Sequence, residues 1–128
     1  MIVVDTSVWV AALRQPAFPD GAVLRSLIDA DLVALPVPVR TELLIGTGGR
    51  TRDRLARTLG ALPLLYPTNR TWHTIDDWTA QAGKRGERFS LGDLLIGALA
   101  ADQQALVWSL DEDFKRLAGL GLVSMYRD

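Results

Sequence analysis

The sequence contains no cysteine and only one histidine, His73. The absence of cysteine excludes disulfide bonds and thiolate metal sites. A single histidine cannot build a histidine-based metal site, and it disfavours a catalytic triad that needs a histidine base. No apolar run reaches the length of a membrane span, and the N-terminus lacks the basic and apolar regions of a signal peptide. We therefore expect a soluble, cytoplasmic protein that does not contact a membrane.

An excess of either charge is also missing, because 14 lysines and arginines balance 15 acidic residues to a net charge of -1. The chain has no overall attraction for nucleic acid, so any such binding must come from a local patch. Twelve of the 14 basic residues are arginine, which suits bidentate phosphate contacts, although a GC-rich coding sequence would have the same effect. The 128 residues, 48% hydrophobic and 23% charged, are typical of one globular domain spanning residues 1–128.

Short apolar runs alternate with amphipathic segments along the chain. The runs predict strands at residues 2–5, 32–35, 64–66 and 105–109, with a terminal strand at 122–125. The amphipathic segments between them predict helices, including one after Thr6 and Ser7 and a strongly apolar, buried one from Ser90. A longer helix is predicted over residues 69–83, and its buried face would carry Trp72, Ile75, Trp78 and Ala82. This alternation indicates an α/β sandwich with a mostly parallel central sheet. Ligands of such folds bind beyond the carboxyl ends of the strands.

Asp5 stands at the end of the first predicted strand, where a charge must be paired, hydrated or bound to a metal. Its ordinary structural role would be to cap the following helix. Thr6 and Ser7 could also cap that helix, so Asp5 is not needed for capping alone. We therefore consider it a candidate functional residue.

Each of the other candidate acids also has an ordinary explanation. Ser90-Leu91-Gly92-Asp93 matches a capping box, which would give Asp93 a purely structural role at a helix start. Glu42 could be a solvated glutamate on its helix. Asp111 and its acidic neighbours could cap a helix or interact favourably with its positive end.

A separate structural role for each acid does not explain why the acids would lie at the same place in the fold. Three elements each bring a carboxylate to one end of the sheet, and Glu42 could add a fourth. Two carboxylates about 6 Å apart repel each other by roughly 3 kcal/mol at an effective dielectric constant near 20. Such a group requires protonation or a bound cation, and an all-oxygen ligand set suits Mg²⁺ or Mn²⁺. The chemistry that such sites serve is metal-assisted phosphodiester hydrolysis.

Four motifs, VDTSVWV, RTELLIG, SLGDLLIGALA and SLDEDF, follow one another along the chain. In their order and spacing they resemble the motifs of PIN-domain ribonucleases, and in particular the VapC toxins of type II toxin–antitoxin pairs. The resemblance implies a PIN-like α/β/α sandwich with four to five strands. It also implies an endoribonuclease that uses Mg²⁺, with Mn²⁺ as an alternative. Its partners would be RNA, a VapB-like antitoxin and, only through that antitoxin, DNA.

Transferred by motif, the resemblance implies a set of site residues. The catalytic acids would be Asp5, Glu42, Asp93 and Asp111, of which Asp5, Asp93 and Asp111 would bind metal. Glu42 would hold a second metal or orient the attacking water. The supporting residues would be Thr6, Ser7, Ser109 and Asp113, and the RNA-binding residues would be Arg40, Arg50, Arg52, Lys84, Arg85 and Arg88. Ser109-Leu110-Asp111 replaces the usual T-x-D, and the fourth acid is either Asp111 or Asp113.

The chain also has more apolar residues than one small core can bury, including four tryptophans. Excess apolar surface marks an interaction site. We expect an antitoxin groove between the first helix, including Trp9, and the helices of residues 39–62. The resemblance further implies a homodimer that pairs through residues 72–82 or through the helix that begins at Leu91.

Two other functions compete with the nuclease. A phosphatase with Asp5 as covalent nucleophile usually has a second aspartate two residues later, where this chain has Ser7. A non-catalytic, PIN-like or receiver-like binding module would keep the fold without the chemistry. The complete acidic set argues against such a module.

Overall fold

The computed structural model describes residues 1–127, and a parallel sheet of four strands lies at its centre. The strands are β1 (Ile2–Val4), β2 (Val33–Pro36), β3 (Leu64–Leu65) and β4 (Leu106–Trp108). The seven helices of the described residues are α1 (Thr6–Arg14), α2 (Gly21–Asp29), α3 (Val37–Ile45), α4 (Gly49–Leu59), α5 (Asn69–Lys84), α6 (Leu91–Asp102) and α7 (Glu112–Gly119). Sheet and helices form the expected α/β/α sandwich.

The strands lie in the order β3-β2-β1-β4, and all three pairings are parallel. The central strand β1 is entirely apolar and buried, as expected for a strand covered on both faces. It pairs Ile2 with Val33 of β2 and Val4 with Trp108 of β4. Because parallel strands end at the same edge, the residues that follow β1 and β4 lie side by side.

Helix α6 lies in the centre of the helical packing and contacts α3, α5, α7, β1 and β4. Its residues 96–100 are all buried, which confirms the prediction of a buried, strongly apolar helix. At Gly97 a Cβ atom would lie 3.1 Å from the Trp78 ring and 3.3 Å from Val123. The small residue therefore lets α5 and the C-terminal segment approach α6 closely.

The predicted fifth strand at residues 122–125 is reduced to an isolated parallel bridge between Met125 and Val107. The backbone N–H of Val107 donates to Ser124, and that of Tyr126 donates to Val107. The turn after α7, with Gly121 at a φ of 77°, brings the chain beside β4 only at these last residues. The side chain of Arg127 then lies over the Trp108 ring, 4.7 Å from its centre.

Two tryptophans differ from the sequence-based expectation. Trp9, which we expected in an exposed groove, is only 5% exposed and belongs to the core, so this prediction is wrong. Trp72, expected on the buried face of α5, is 44% exposed. The buried positions of α5 are Thr71, Ile75, Trp78 and Ala82. Trp72 lies about 100° around the helix from Thr71 and therefore faces outward.

In the described residues 1–127, no helix combines the length and the apolar character needed to cross a membrane.

Candidate active site

Asp5 follows β1 and is the N-cap residue of α1. Its Oδ2 atom accepts hydrogen bonds from the backbone N–H of Ser7 (3.3 Å), the hydroxyl of Ser7 (2.7 Å) and the hydroxyl of Ser109 (2.8 Å). These three bonds all end on Oδ2, which leaves Oδ1 for another partner. Asp5 is 5% exposed, so its charge depends on these donors. The expectation that Thr6 or Ser7 would cap α1 is wrong, because both already lie within the helix.

Ser109 connects the ends of the two neighbouring strands β1 and β4. Its hydroxyl donates to Asp5 and accepts from the backbone N–H of Asp111 at 2.9 Å. The hydroxyl of Ser7 completes the connection by accepting from the backbone N–H of Leu110 at 3.0 Å. The two serines thus fix the position of Asp5 relative to the segment that carries Asp111.

Three carboxylates, those of Asp93, Asp111 and Asp113, form an acidic cluster in which one oxygen of each lies within 4.8 Å of the others. Asp93 lies in the first turn of α6, where its backbone N–H donates to the Ser90 hydroxyl at 3.2 Å. The cap therefore uses the backbone of Asp93 and leaves its carboxylate for the cluster. Asp111 caps α7 by accepting from the backbone N–H of Asp113 at 3.0 Å. Asp111 is therefore a helix cap as expected, whereas the cap at Asp93 uses the Ser90 hydroxyl and not the Asp93 carboxylate, and the two carboxylates still converge.

Burial and the neighbouring carboxylates raise the pKa of Asp93 from 3.8 to about 7. Burial is the largest cause, followed by the charge of Asp111, the hydrogen bond with Asp113 and the charges of Asp5 and Asp113. Asp5 therefore acts electrostatically on the cluster, although it is not one of its three members. An all-carboxylate set whose charges repel one another fits a divalent cation, which would remove the repulsion.

Replacing Asp93 by asparagine is expected to stabilise the metal-free protein at alkaline pH. The folded state holds the Asp93 proton more tightly than the unfolded state, so wild-type stability falls as the pH rises from about 4 to about 7. Because water screens this half-buried group, we expect the variant to gain about 1–2 kcal/mol above pH 7. Thermal melts in EDTA should show a melting temperature higher by about 3–8 °C at pH 8 and unchanged at pH 4. An equal gain at both pH values would contradict the electrostatic explanation.

Glu42 lies outside the acidic cluster, on helix α3. Its Oε1 atom accepts a hydrogen bond of 3.1 Å from the Thr6 hydroxyl, which connects it to the residue after Asp5. Glu42 also lines a cavity of about 380 Å³ between α1, α3 and α4. The other residues of this groove are Val10, Leu13, Arg14, Leu43, Gly46, Thr47, Thr51 and Leu55.

The six candidate RNA-binding residues fall into two groups. Arg40, on α3, and Arg52, on α4, line a cavity of about 320 Å³, and Arg50 is exposed on α4. Lys84 ends α5, and Arg85 and Arg88 are exposed in the loop that follows. This second group borders the acidic cluster, because Arg116 of α7 contacts both Asp113 and the backbone of Arg88. Arg116 is not among the residues predicted from the sequence, although its i,i+3 spacing from Asp113 is typical of a helical ion pair.

Residues 2–120 match the family profile of the PIN domain. The chain belongs to the PIN domain family. A search of curated proteins with this sequence finds no match. Solved structures, by contrast, share the fold of this PIN domain over nearly its whole length.

Three of these structures illustrate the similarity. VapBC2 from Rickettsia felis, bound to a DNA fragment from its promoter, has a TM-score of 0.78 and 18% identity over 98% of this chain and 97% of that one. FitAcB from Neisseria gonorrhoeae has a TM-score of 0.78 and 24% identity over 99% and 97%. VapC20 from Mycobacterium tuberculosis, a Sarcin-Ricin loop cleaving toxin, has a TM-score of 0.68 and 19% identity over 91% and 94%. At these identities, the similarity establishes a common fold.

Proposed function

We propose that this PIN domain is a VapC-like toxin, an Mg²⁺-dependent endoribonuclease that a VapB-like antitoxin neutralises in the cytoplasm. The observation that carries the proposal is the convergence of Asp93, Asp111 and Asp113 beside Asp5, at the carboxyl edge of the sheet. Membership of the PIN family and the fold shared with VapBC complexes support a nuclease of the VapC type.

In this proposal Asp5, Asp93 and Asp111 bind Mg²⁺, and Mn²⁺ can replace it. Asp113 is placed to contribute as well, since its carboxylate belongs to the acidic cluster. A divalent cation bound there would acidify a water molecule and offset negative charge on the phosphate. The serines that hold Oδ2 of Asp5 would fix its other oxygen, so that the ligands are positioned before substrate arrives.

The remaining residues would bind and orient the substrate. Glu42, held by Thr6, would orient the attacking water or a second cation. The two basic groups would bind the RNA backbone, namely Arg40, Arg50, Arg52, Lys84, Arg85 and Arg88. Binding through phosphate contacts of this kind weakens as salt concentration rises.

The groove between α1, α3 and α4 would bind the antitoxin. It has an apolar floor that includes Leu13 and Leu55, and the carboxylate of Glu42 lies at its edge. A helical antitoxin segment could place its apolar face there and an arginine near the acids. The solved VapBC complexes support such a partner, and VapBC2 is bound to a DNA fragment from its promoter, which is compatible with the DNA contact that we propose the antitoxin makes.

We further propose that the toxin is a homodimer. Trp72 on α5 and Leu91 at the start of α6 are 44% and 57% exposed, and both lie in the segments that the family resemblance implies for pairing. Light scattering of the isolated protein would measure its mass in solution.

Cleavage of a labelled single-stranded RNA tests the proposed function. EDTA should abolish cleavage, and Mg²⁺ or Mn²⁺ added in excess should restore it. A DNA of the same sequence serves as the control for substrate class. Cleavage that is unaffected by EDTA would refute a metal-dependent nuclease. If cation binding and cleavage were both absent, the non-catalytic binding module would be the better explanation.

A further inference from the structure

Arg116 of α7 connects the acidic cluster to the loop between α5 and α6. Its Nη1 atom donates to Oδ1 of Asp113 at 3.0 Å, and its Nη2 atom lies 2.8 Å from Oε2 of Glu87. Nη2 also donates to the backbone carbonyl of Arg88 at 2.8 Å, and the guanidinium lies 4.4 Å from the centre of the Phe89 ring. One side chain therefore holds a cluster carboxylate and three consecutive loop residues.

Surface stabilisation alone does not account for this arrangement. The side chains of Arg116, Glu87 and Asp113 are 36–40% exposed, and ion pairs with this exposure contribute little to stability. The neighbouring Lys115 forms an ordinary surface ion pair on the same helix. It contacts Glu112 at 3.2 Å, and the two side chains are 49% and 77% exposed. Arg116 instead uses the planar, multi-donor geometry of guanidinium to join two elements.

We propose that Arg116 is a positioning residue, which fixes the Asp113 carboxylate and the loop of residues 87–89 so that Asp113 can offer an oxygen to a bound divalent cation. The inference rests on the proposed metal-dependent nuclease. Groups that hydrogen-bond to metal-binding carboxylates orient them, and their loss weakens metal binding. Arg116 would act in this way through Asp113.

If Arg116 acted mainly through its charge, its replacement would change cation affinity in the opposite direction. A guanidinium near the site repels a divalent cation, so removing its charge would strengthen cation binding if charge were its main contribution. Positioning predicts weaker binding instead. The direction of the change therefore distinguishes the two roles.

Titration of Mn²⁺ into the metal-free protein by calorimetry provides the test. We expect Arg116→Gln to weaken Mn²⁺ binding by about tenfold, within the usual range for such supporting residues. Lys115→Gln, on the same helix, is the matched control and should bind like wild type. In an Asp113→Asn background, Arg116→Gln should cause no further loss. Unchanged or tighter binding in the single variant, or a full tenfold loss in the Asp113→Asn background, would overturn the proposal.

Further variants separate charge, folding and chemistry. Arg116→Lys keeps the charge but loses the planar fork, so we expect it to bind Mn²⁺ as weakly as Arg116→Gln, and wild-type affinity would refute positioning. If circular dichroism shows that Arg116→Gln does not fold, Glu87→Gln replaces it. This variant removes the carboxylate charge beside Nη2 of Arg116 and so loosens the attachment of Arg116 to the loop. It should weaken Mn²⁺ binding, and unchanged affinity would refute the proposal. In cleavage assays we expect a lower kcat for Arg116→Gln.

The failure of this inference differs from the failure of the proposed function. Mn²⁺ binding that is lost in Asp93→Asn but unchanged in Arg116→Gln would refute only the role of Arg116. Absence of Mn²⁺ binding and RNA cleavage in the wild type would refute both.

Discussion

Asp93→Asn is expected to lower the rate of RNA cleavage by about a thousandfold or more, which corresponds to roughly 4 kcal/mol of lost transition-state stabilisation. Asp93 is the acid on which the other carboxylates act, and its oxygen belongs to the acidic cluster. An asparagine amide has nearly the same shape but no negative charge with which to bind a cation. Because metal assistance supplies several kcal/mol in such reactions, its loss accounts for an effect of this size.

Single-turnover cleavage of a labelled RNA by the wild type and the variant measures this effect. Asp76→Asn is the matched control, because Asp76 is exposed on α5 and lies outside the acidic cluster, so its replacement should leave the rate unchanged. With Mg²⁺ present the Asp93→Asn variant should be nearly inactive, and in EDTA it should be more stable than the metal-free wild type above pH 7. That combination would separate loss of chemistry from loss of folding, whereas cleavage at the wild-type rate would show that the site is assigned wrongly.

Leu13→Asp is expected to weaken antitoxin binding by about a hundredfold, within the range measured for residues at the centre of an interface. Leu13 lines the groove between α1, α3 and α4 and is 53% exposed, so the change should leave the core intact. A carboxylate at this position would lose hydration when an apolar helix face covers it. The variant should still cleave RNA, because Leu13 is not one of the candidate catalytic acids.

The measurement is a calorimetric titration with the cognate antitoxin of the proposed pair. Leu32→Asp is the control. Leu32 is 42% exposed and directly precedes β2, so it lies at the amino ends of the parallel strands. Trp9→Ala is a poor test of the groove, because Trp9 is buried and its truncation would cost about 3–5 kcal/mol of stability. Wild-type affinity in Leu13→Asp would exclude this groove as the antitoxin site.

The sequence predicts the parallel sheet well, because its strands are short and apolar. From this it follows that the residues after β1 and β4 lie together, and the bonds between Ser109 and Asp5 have this origin. The choice between Asp111 and Asp113 does not follow from the pattern. Three acidic residues stand in a row at a helix start, and only the cap geometry shows that both Asp111 and Asp113 face Asp93.

The misplaced tryptophans have a different cause. Apolar residues at helical spacing indicate that a helix has a buried face, but they do not define its edges. On α5 the small polar Thr71 occupies the buried position that Trp72 was expected to share, because its hydroxyl reaches Asp102 of α6 at 3.2 Å. The role of Arg116 could not be predicted for a related reason. Its loop partners lie 27–29 positions away in sequence, and a local sequence pattern does not predict contacts over such distances.

The position of β1 beside β4 also determines when the acidic centre can assemble during synthesis. Strand β1 pairs with β4, and Asp5 receives a hydrogen bond from a residue 104 positions later. Parallel pairing over such sequence distances forms slowly, and it cannot form before the later segment has been synthesised. A ribosome that has not yet released the segment around Asp111 therefore carries an incomplete centre. The topology thus makes assembly of the acidic centre wait until the segment around Asp111 has been made.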